Sequence, residues 1–297
     1  KQVWRGGRML SSIKNFFIRK FRKMSGFQIA VFCIVFVLFA LYAFTIIYAM
    51  GWSIISSLRP RKELMNDPFG MPSTLTFRNY VTAFNEMNVN MVLLIINSLW
   101  YSVGGTALNI LCALTMAYVV SKYKFFGRNA IYFIAVVVMV LPIVGSLPST
   151  YKLIKSLHLN DSPLILLTFT NGFGYNFIVL YGFFASVSWS YAEAAIMDGA
   201  DDFTIFFKVM LPQAMPAVLS LFIISFIAVW NDYQGPLLYL EKMPTLSVGI
   251  YLYQEETAAN PHILYAAINL SILPVLALFI AFQETIMTNT VAGGLKG

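Results

Sequence analysis

The chain has 297 residues, of which 59% are hydrophobic and 11% charged, and it carries a net charge of +7. A soluble globular chain carries roughly 25% charged residues, so this composition excludes an ordinary water-soluble fold. The positive excess does not point to nucleic acid, because it collects beside an apolar run, where anionic lipid headgroups account for it.

A helix needs roughly 20 apolar residues to cross a hydrocarbon core about 30 Å thick, so the spacing of charges reads out the elements in chain order. A basic segment, 1–27, comes first, with Lys1, Arg5, Arg8, Lys14, Arg19, Lys20, Arg22 and Lys23 and no acid. Nothing is charged between Lys23 and Arg59, which predicts a first spanning helix over 28–57. That run exceeds the core of a secretory signal and lacks a small-residue cleavage site, so it reads as a retained anchor. An outer loop follows over 58–90, with Pro60, Pro68 and Pro72, long enough for a short interfacial helix.

Three further charge-free intervals, Glu86 to Lys122, Arg128 to Lys152 and Asp161 to Glu193, predict helices near 91–120, 129–148 and 163–186. The run from Lys208 to Glu241, broken only by Asp232, predicts a fifth helix near 215–238, and the run from Glu256 to Glu284 a sixth near 262–283. The fold class is therefore an all-α membrane protein of six transmembrane helices, with a helical core over 91–283 and a tail over 284–297. Lysine and arginine stay on the cytoplasmic side. The basic N-terminus, Lys122, Lys124 and Arg128, the loop 187–214 and the tail then all lie inside. Arg59, Arg61, Lys62 and Arg78 in the first outer loop, partly offset by Glu63, Asp67 and Glu86, run against this orientation. Pro142, Pro148 and Pro274 each remove a backbone donor and tend to kink or end a helix, unless neighbouring helices satisfy the freed carbonyls.

Cys33 and Cys112 fall within predicted spans without C-x-x-C or Cys/His spacing, and His158 and His262 have no partner at ligand spacing, so no metal site is expected. Asp232 is an intramembrane carboxylate. With Asn231 it either lines a polar passage or sits solvated near the outer surface. Asn97, Asn176 and Asn269 are further polar residues at membrane depth, candidates for the same passage or for interhelical hydrogen bonds. The outer stretch 239–262, with Tyr251, Tyr253, Gln254 and Glu255, mixes aromatic and polar groups suited to touching another protein.

The inner loop 187–214 carries the most information. Ser190 and Glu193 have the spacing of a capping box, Gly199 permits a turn, and Asp201 can cap a second short helix that Pro212 would stop. The expected product is a helix–turn–helix presenting Ile196, Met197, Phe203 and Phe206 to a partner. The pattern Glu193-Ala194-Ala195, Gly199 and Val209-Met210-Leu211-Pro212 resembles the EAA motif of binding-protein-dependent ABC importer permeases, with Val209 where the family usually has Ile.

Further segments are similar to the smaller, six-helix permease of the maltose-type, carbohydrate-importing branch. These are Asn97-Ser98-Leu99, Leu141-Pro142, Pro148-Ser149-Thr150-Tyr151, Trp230-Asn231-Asp232, Pro236-Leu237 and Pro244-Thr245-Leu246-Ser247-Val248-Gly249. Leu157-His158-Leu159 departs from the Leu-Gly-Leu expected there. The resemblance implies a coupling helix that meets an ATPase through Glu193, Ala194, Ala195, Asp198, Gly199, Ala200, Phe203, Phe206, Leu211 and Pro212. It also implies a Gly-rich tail, with Gly293, Gly294 and Lys296, reaching toward that ATPase.

The partners so implied are a second similar permease, two copies of an ABC ATPase, an extracytoplasmic solute-binding protein, a sugar substrate and membrane lipids, in a bacterial cytoplasmic membrane. No G-x-x-x-x-G-K-S/T phosphate loop occurs in the sequence, so ATP and Mg belong to the partner ATPase and this chain is expected to be non-catalytic. A secondary transporter driven by an ion gradient would normally show paired intramembrane charges and inverted repeats. Neither is visible. A membrane scaffold, in which polar residues serve packing alone, is the other alternative.

Overall fold

The computed structural model describes residues 25–85, 90–141, 145–256 and 260–294, and every regular element among them is helical. Two units are distinguished, Lys1–Ser56 and Ser57–Gly297. The first is, in its described part, the charge-free helix α1 (Gly26–Ser57). A helix apolar around its whole circumference has no polar face to turn to water, which is the pattern of a bilayer span.

The second unit opens with two short helices, α2 (Arg61–Asn66) and α3 (Arg78–Asn85), where the sequence suggested one. Their loop folds around Arg59, which is buried. Its guanidinium donates to the carbonyls of Glu63, Asp67 and Pro68 at 3.3, 2.8 and 3.3 Å and lies 3.6 Å from the Glu63 carboxylate. Glu63 accepts from the Ser73 amide and hydroxyl at 2.6 and 3.0 Å, and the Ser73 amide holds its carboxyl below the usual range. Arg59 is thus a structural cation rather than a free surface charge.

The spine of this unit is α4 (Met91–Lys122), whose first turn is capped by Asn90 accepting from the Val92 amide. It feeds three buried clusters in succession. Met91 and Leu94 meet Phe226, Trp230, Leu246 and Ala266. Tyr101 joins Ile154, Ile165 and Leu240. Ile110 through Val120 pack with Phe177, Leu180, Phe184, Met210 and Ala214. Gly105 permits a close approach, since a Cβ there would lie 2.9 Å from the Phe169 ring.

After α4 come α5 (Arg128–Val140), α6 (Leu147–Ser156), a 3-10 stretch (Pro163–Phe169), α7 (Tyr175–Ser186) and α8 (Ser190–Met197). Then follow α9 (Asp202–Trp230), α10 (Gln234–Tyr239), α11 (Leu246–Glu256) and α12 (Pro261–Gly294). Among the described residues, four helices are long and apolar enough to cross a membrane: α1, α4, α9 and, within α12, Pro261–Gln283. The chain is a multi-pass membrane protein.

Two predicted spans are shorter than the sequence suggested. The helix expected over 129–148 ends at Val140, and helix resumes at Leu147. Leu141 is extended, as expected of a residue before proline; Pro142 itself lies outside the described residues. At 13 residues, α5 is about 20 Å long.

The helix expected over 163–186 is broken between Thr170 and Gly174, where Gly174 has φ +117°. The break is tolerated because a polar side chain reaches it. Asn109 on α4 donates to the Phe169 carbonyl at 3.2 Å and to the Asn171 carbonyl and Oδ1 at 3.3 and 3.0 Å. Non-helical backbone at membrane depth requires such internal partners.

The fifth and sixth predicted helices are displaced or extended. α9 ends at Trp230 rather than near 238, because Asp232 caps the separate helix α10. α12 continues as helix to Gly294, beyond the tail boundary at 284 suggested by sequence.

Candidate functional site

The inner segment forms a helical knuckle. α8 ends in a Schellman motif, in which the Gly199 amide donates to Ile196 O and the Ala200 amide to Ala195 O, both at 2.9 Å. This geometry needs a left-handed residue after the helix, and Gly199 supplies it at φ +82°. Asp201 then caps the next helix, its Oδ1 accepting from the Thr204 amide at 3.1 Å. The Thr204 side chain, together with that amide bond, holds the Asp201 carboxyl below its ordinary value.

Three local expectations are corrected. Ser190 and Glu193 do not form a capping box: α8 begins with Ser190 already inside the helix, and the Ser190 amide is taken by Ser188 Oγ at 3.3 Å. Glu193 is left exposed in the first turn, where its charge suits the positive end of the helix dipole.

Pro212 does not stop the second helix. Helix runs unbroken from Asp202 through a π-helical segment, Ile205–Met210, into Leu211–Trp230, with Pro212 in its first turn and Pro216 inside. A proline has no amide to offer the carbonyl one turn back, and the wider π pattern just before it is the accommodation. The knuckle is therefore continuous with a spanning helix.

Phe206 faces inward, 8% exposed, with its ring centroid 4.8 Å from that of Tyr118. The outward apolar set is instead Tyr191, Ile196, Met197, Phe203 and Phe207, of which Met197 is 88% and Phe203 75% exposed. Glu193, Ala194, Asp198, Gly199 and Pro212 share this exposure, while Ala195, Ala200 and Leu211 are half-buried.

One group missed in the sequence joins the knuckle to the spine. Tyr123, just past α4, donates to Asp202 Oδ1 at 2.9 Å, lies 3.4 Å from the Tyr118 hydroxyl, and stacks edge-on against Trp189 at 5.9 Å. Burial pushes its hydroxyl above the usual value, so it remains a donor. No spacing rule singles out a tyrosine in a short basic loop; only the chain's return brings Trp189 and Asp202 to it.

The candidate passage residues are not brought together. Asn97 is buried, donating to Pro244 O at 3.0 Å and accepting from Trp100 Nε1. Asn176 donates to Asn109 Oδ1 at 2.8 Å and Ser225 Oγ at 2.9 Å. Asn269 reaches the Tyr80 hydroxyl at 3.4 Å. Asp232 is half-buried and caps α10, accepting from the Gln234 and Gly235 amides at 3.0 and 3.2 Å, and the Tyr101 hydroxyl is its hydrogen-bond partner. Asn231 alone of the five is exposed.

On α11, Tyr251 and Gln254 face a cleft, Glu255 is exposed, and Tyr253 packs against the Phe226 cluster. Gly293 and Gly294 fall within α12, and Lys296 lies outside the described residues. No group of three or more His, Cys, Asp or Glu side chains with metal-holding geometry occurs among the described residues.

The model of the family described as "Binding-protein-dependent transport system inner membrane component" matches residues 109–288, which include the whole knuckle. The chain belongs to this family. It is 29% identical over 265 residues to the diacetylchitobiose uptake system permease protein of Streptomyces coelicolor, covering 87% of each chain. To the sulfoquinovosyl glycerol transport system permease protein of Agrobacterium fabrum it is 31% identical over 251 residues, 83% of this chain and 87% of that one. To the arabinooligosaccharides transport system permease protein of Bacillus subtilis it is 28% identical over 287 residues, 94% and 100%.

Its fold matches a bacterial ABC transporter involved in import of the acidic polysaccharide alginate, with a TM-score of 0.72, 25% identity, and coverage of 88% of this chain and 98% of that one. The protein is thus a non-catalytic permease subunit of an ABC importer, whose ATPase is a separate partner.

Proposed function

We propose that this permease carries a sugar or oligosaccharide across the bacterial inner membrane, together with a second similar permease, two copies of an ABC ATPase and an extracytoplasmic binding protein that delivers the solute. The observation that carries the reading is the exposed knuckle around Gly199, which presents Met197 and Phe203 away from the chain's own core. A contiguous apolar surface of this kind marks a protein contact. The permeases it resembles are named for uptake of diacetylchitobiose, sulfoquinovosyl glycerol and arabinooligosaccharides, which supports the carbohydrate class.

In this reading the chain passes the membrane six times with both ends cytoplasmic. α5 with α6, and the 3-10 stretch with α7, complete the two passes that no single helix spans. ATP and Mg bind in the ATPases. Their closure pulls the knuckle, with Glu193, Ala194, Ala195 and Gly199 at the contact. Because α9 is continuous and Tyr123 ties Asp202 to α4, the pull reaches two spanning helices. Gly293, Gly294 and Lys296 approach the same ATPase, and Tyr251, Gln254 and Glu255 face the binding protein.

The test is affinity purification of a tagged copy in mild detergent, followed by uptake in vesicles. A second permease and an ATPase are expected to co-purify, and uptake is expected to need internal ATP and to survive ionophores. Recovery of the chain alone, with uptake collapsing when the ion gradient is dissipated, would overturn the proposal in favour of a secondary transporter.

A further inference from the structure

At the end of α9 the chain forms an open cavity of about 490 Å³, bounded by the residues that follow α9, by α11 and by α12. That volume is within the roughly 300–1,000 Å³ of small-ligand sites. It lies apart from the knuckle, and its lining includes Asn231 of the candidate passage and Tyr251 and Gln254 of the candidate outer contacts.

Its chemistry is specific. The floor is Trp230, 4% exposed. One wall is a pair of stacked rings, Tyr233 and Tyr251, with centroids 4.8 Å apart and planes 20° from parallel. Polar groups converge on the same space. Asn231 spends an amide hydrogen on the Ile227 carbonyl at 2.8 Å, which leaves its Oδ1 to accept. Gln254 makes no hydrogen bond among the described residues and keeps both amide donors and its acceptor. Ser271 lines the far side.

No lysine, arginine, aspartate or glutamate is among the lining residues. Aromatic faces match the C–H face of a pyranose, and amide groups match its hydroxyls, each as donor or acceptor. A carboxylate or sulfonate brought into this lining would lose water and find no cation, which is unfavourable.

We infer that this cavity is a subsite for an uncharged pyranose unit, held on the Tyr233–Tyr251 stack and oriented by Asn231 and Gln254. The inference rests on the importer reading above and narrows it to neutral saccharides, or to the neutral portion of a larger one, contacted by this chain directly.

The test uses the complete assembly with its binding protein in proteoliposomes and a panel of saccharides. The neutral members are malto-, cello-, xylo- and galacto-oligosaccharides, and the acidic members are oligogalacturonate and alginate oligomers. Wild type is expected to take up neutral members only. Tyr233→Ala should raise the concentration of the best member needed for half-maximal uptake about ten-fold, roughly the loss of one good contact. Gln254→Arg and Asn231→Lys should shift the ranking toward acidic members.

The ranking separates a subsite from a docking surface, because weakened docking lowers uptake of every member alike. Preference of wild type for acidic members, or an unchanged ranking in both charged variants, would overturn the subsite while leaving the importer reading intact. Absence of ATP-driven uptake of any member would overturn both.

Discussion

At the scale of single residues, two left-handed positions carry opposite lessons. Gly199 holds φ +82° and has open space where a Cβ would stand, so any penalty for a side chain there is backbone strain alone. Gly199→Ala is expected to lower stability by about 1–2 kcal/mol, read as thermal unfolding in detergent. Gly199→Asp is expected to leave the chain membrane-inserted while uptake falls, because the added side chain stands on the knuckle's exposed turn. Normal uptake by that variant would count against the coupling role.

His158 sits in the same kind of turn, with φ +55°, its own amide donating to Lys155 O at 3.2 Å and the Leu159 amide to Ile154 O at 3.1 Å. This is the position where the family pattern led us to expect glycine, and the positive φ is the physical reason. His158→Gly should therefore stabilise by ~0.5–1 kcal/mol, the relief of strain being partly offset by glycine's greater freedom when unfolded. A fall in melting temperature for that variant would contradict the account.

At the scale of elements, the polar side chains in the helices act chiefly as internal partners. Asn109 bonds the broken backbone at 169–171 and also accepts from Asn176. Asn109→Ala should destabilise by about 1–2 kcal/mol and increase protease cleavage near residues 170–174. Cleavage and stability equal to wild type would show that the break has other partners.

The Asp201 cap gives a pH effect with a definite sign. Its folded pKa is depressed, so its contribution is fully present above the ordinary aspartate value of about 3.9 and is lost as pH falls through the lower folded value. Hydrogen exchange at the Thr204 amide should be slower in wild type than in Asp201→Ala at neutral pH. The two should converge in acid, and a difference that persisted there would exclude the carboxylate as the cause.

At the scale of the whole molecule, the issue is which face of the membrane each surface meets. The proposed orientation places Met197 inside and Lys242 outside, and both are exposed. In a background with Cys33→Ser and Cys112→Ser, Met197→Cys should react with a membrane-impermeant maleimide only in inverted vesicles. Lys242→Cys should react only from outside intact cells. Labelling of both from one side would overturn the proposed topology. The buried state of Arg59 removes one of the cations that made the orientation ambiguous, since its guanidinium is committed to three backbone carbonyls.

Membrane residence, helical class and the knuckle were readable from residue order because each rests on local physics. Charge spacing sets what can enter a bilayer, and Gly199 and Asp201 specify their turn through their own backbone and side-chain geometry. The break near Gly174, the inward turn of Phe206, the pairing of Asp232 with Tyr101 and the Tyr123 contact were not. Each depends on a partner supplied by a distant part of the chain: Asn109 for the freed carbonyls, Tyr118 for Phe206, Tyr101 for Asp232, and Trp189 with Asp202 for Tyr123. Apolar runs show that helices will pack, but which residues meet is settled by the fit of facing side chains, and that information exists only once the helices are assembled.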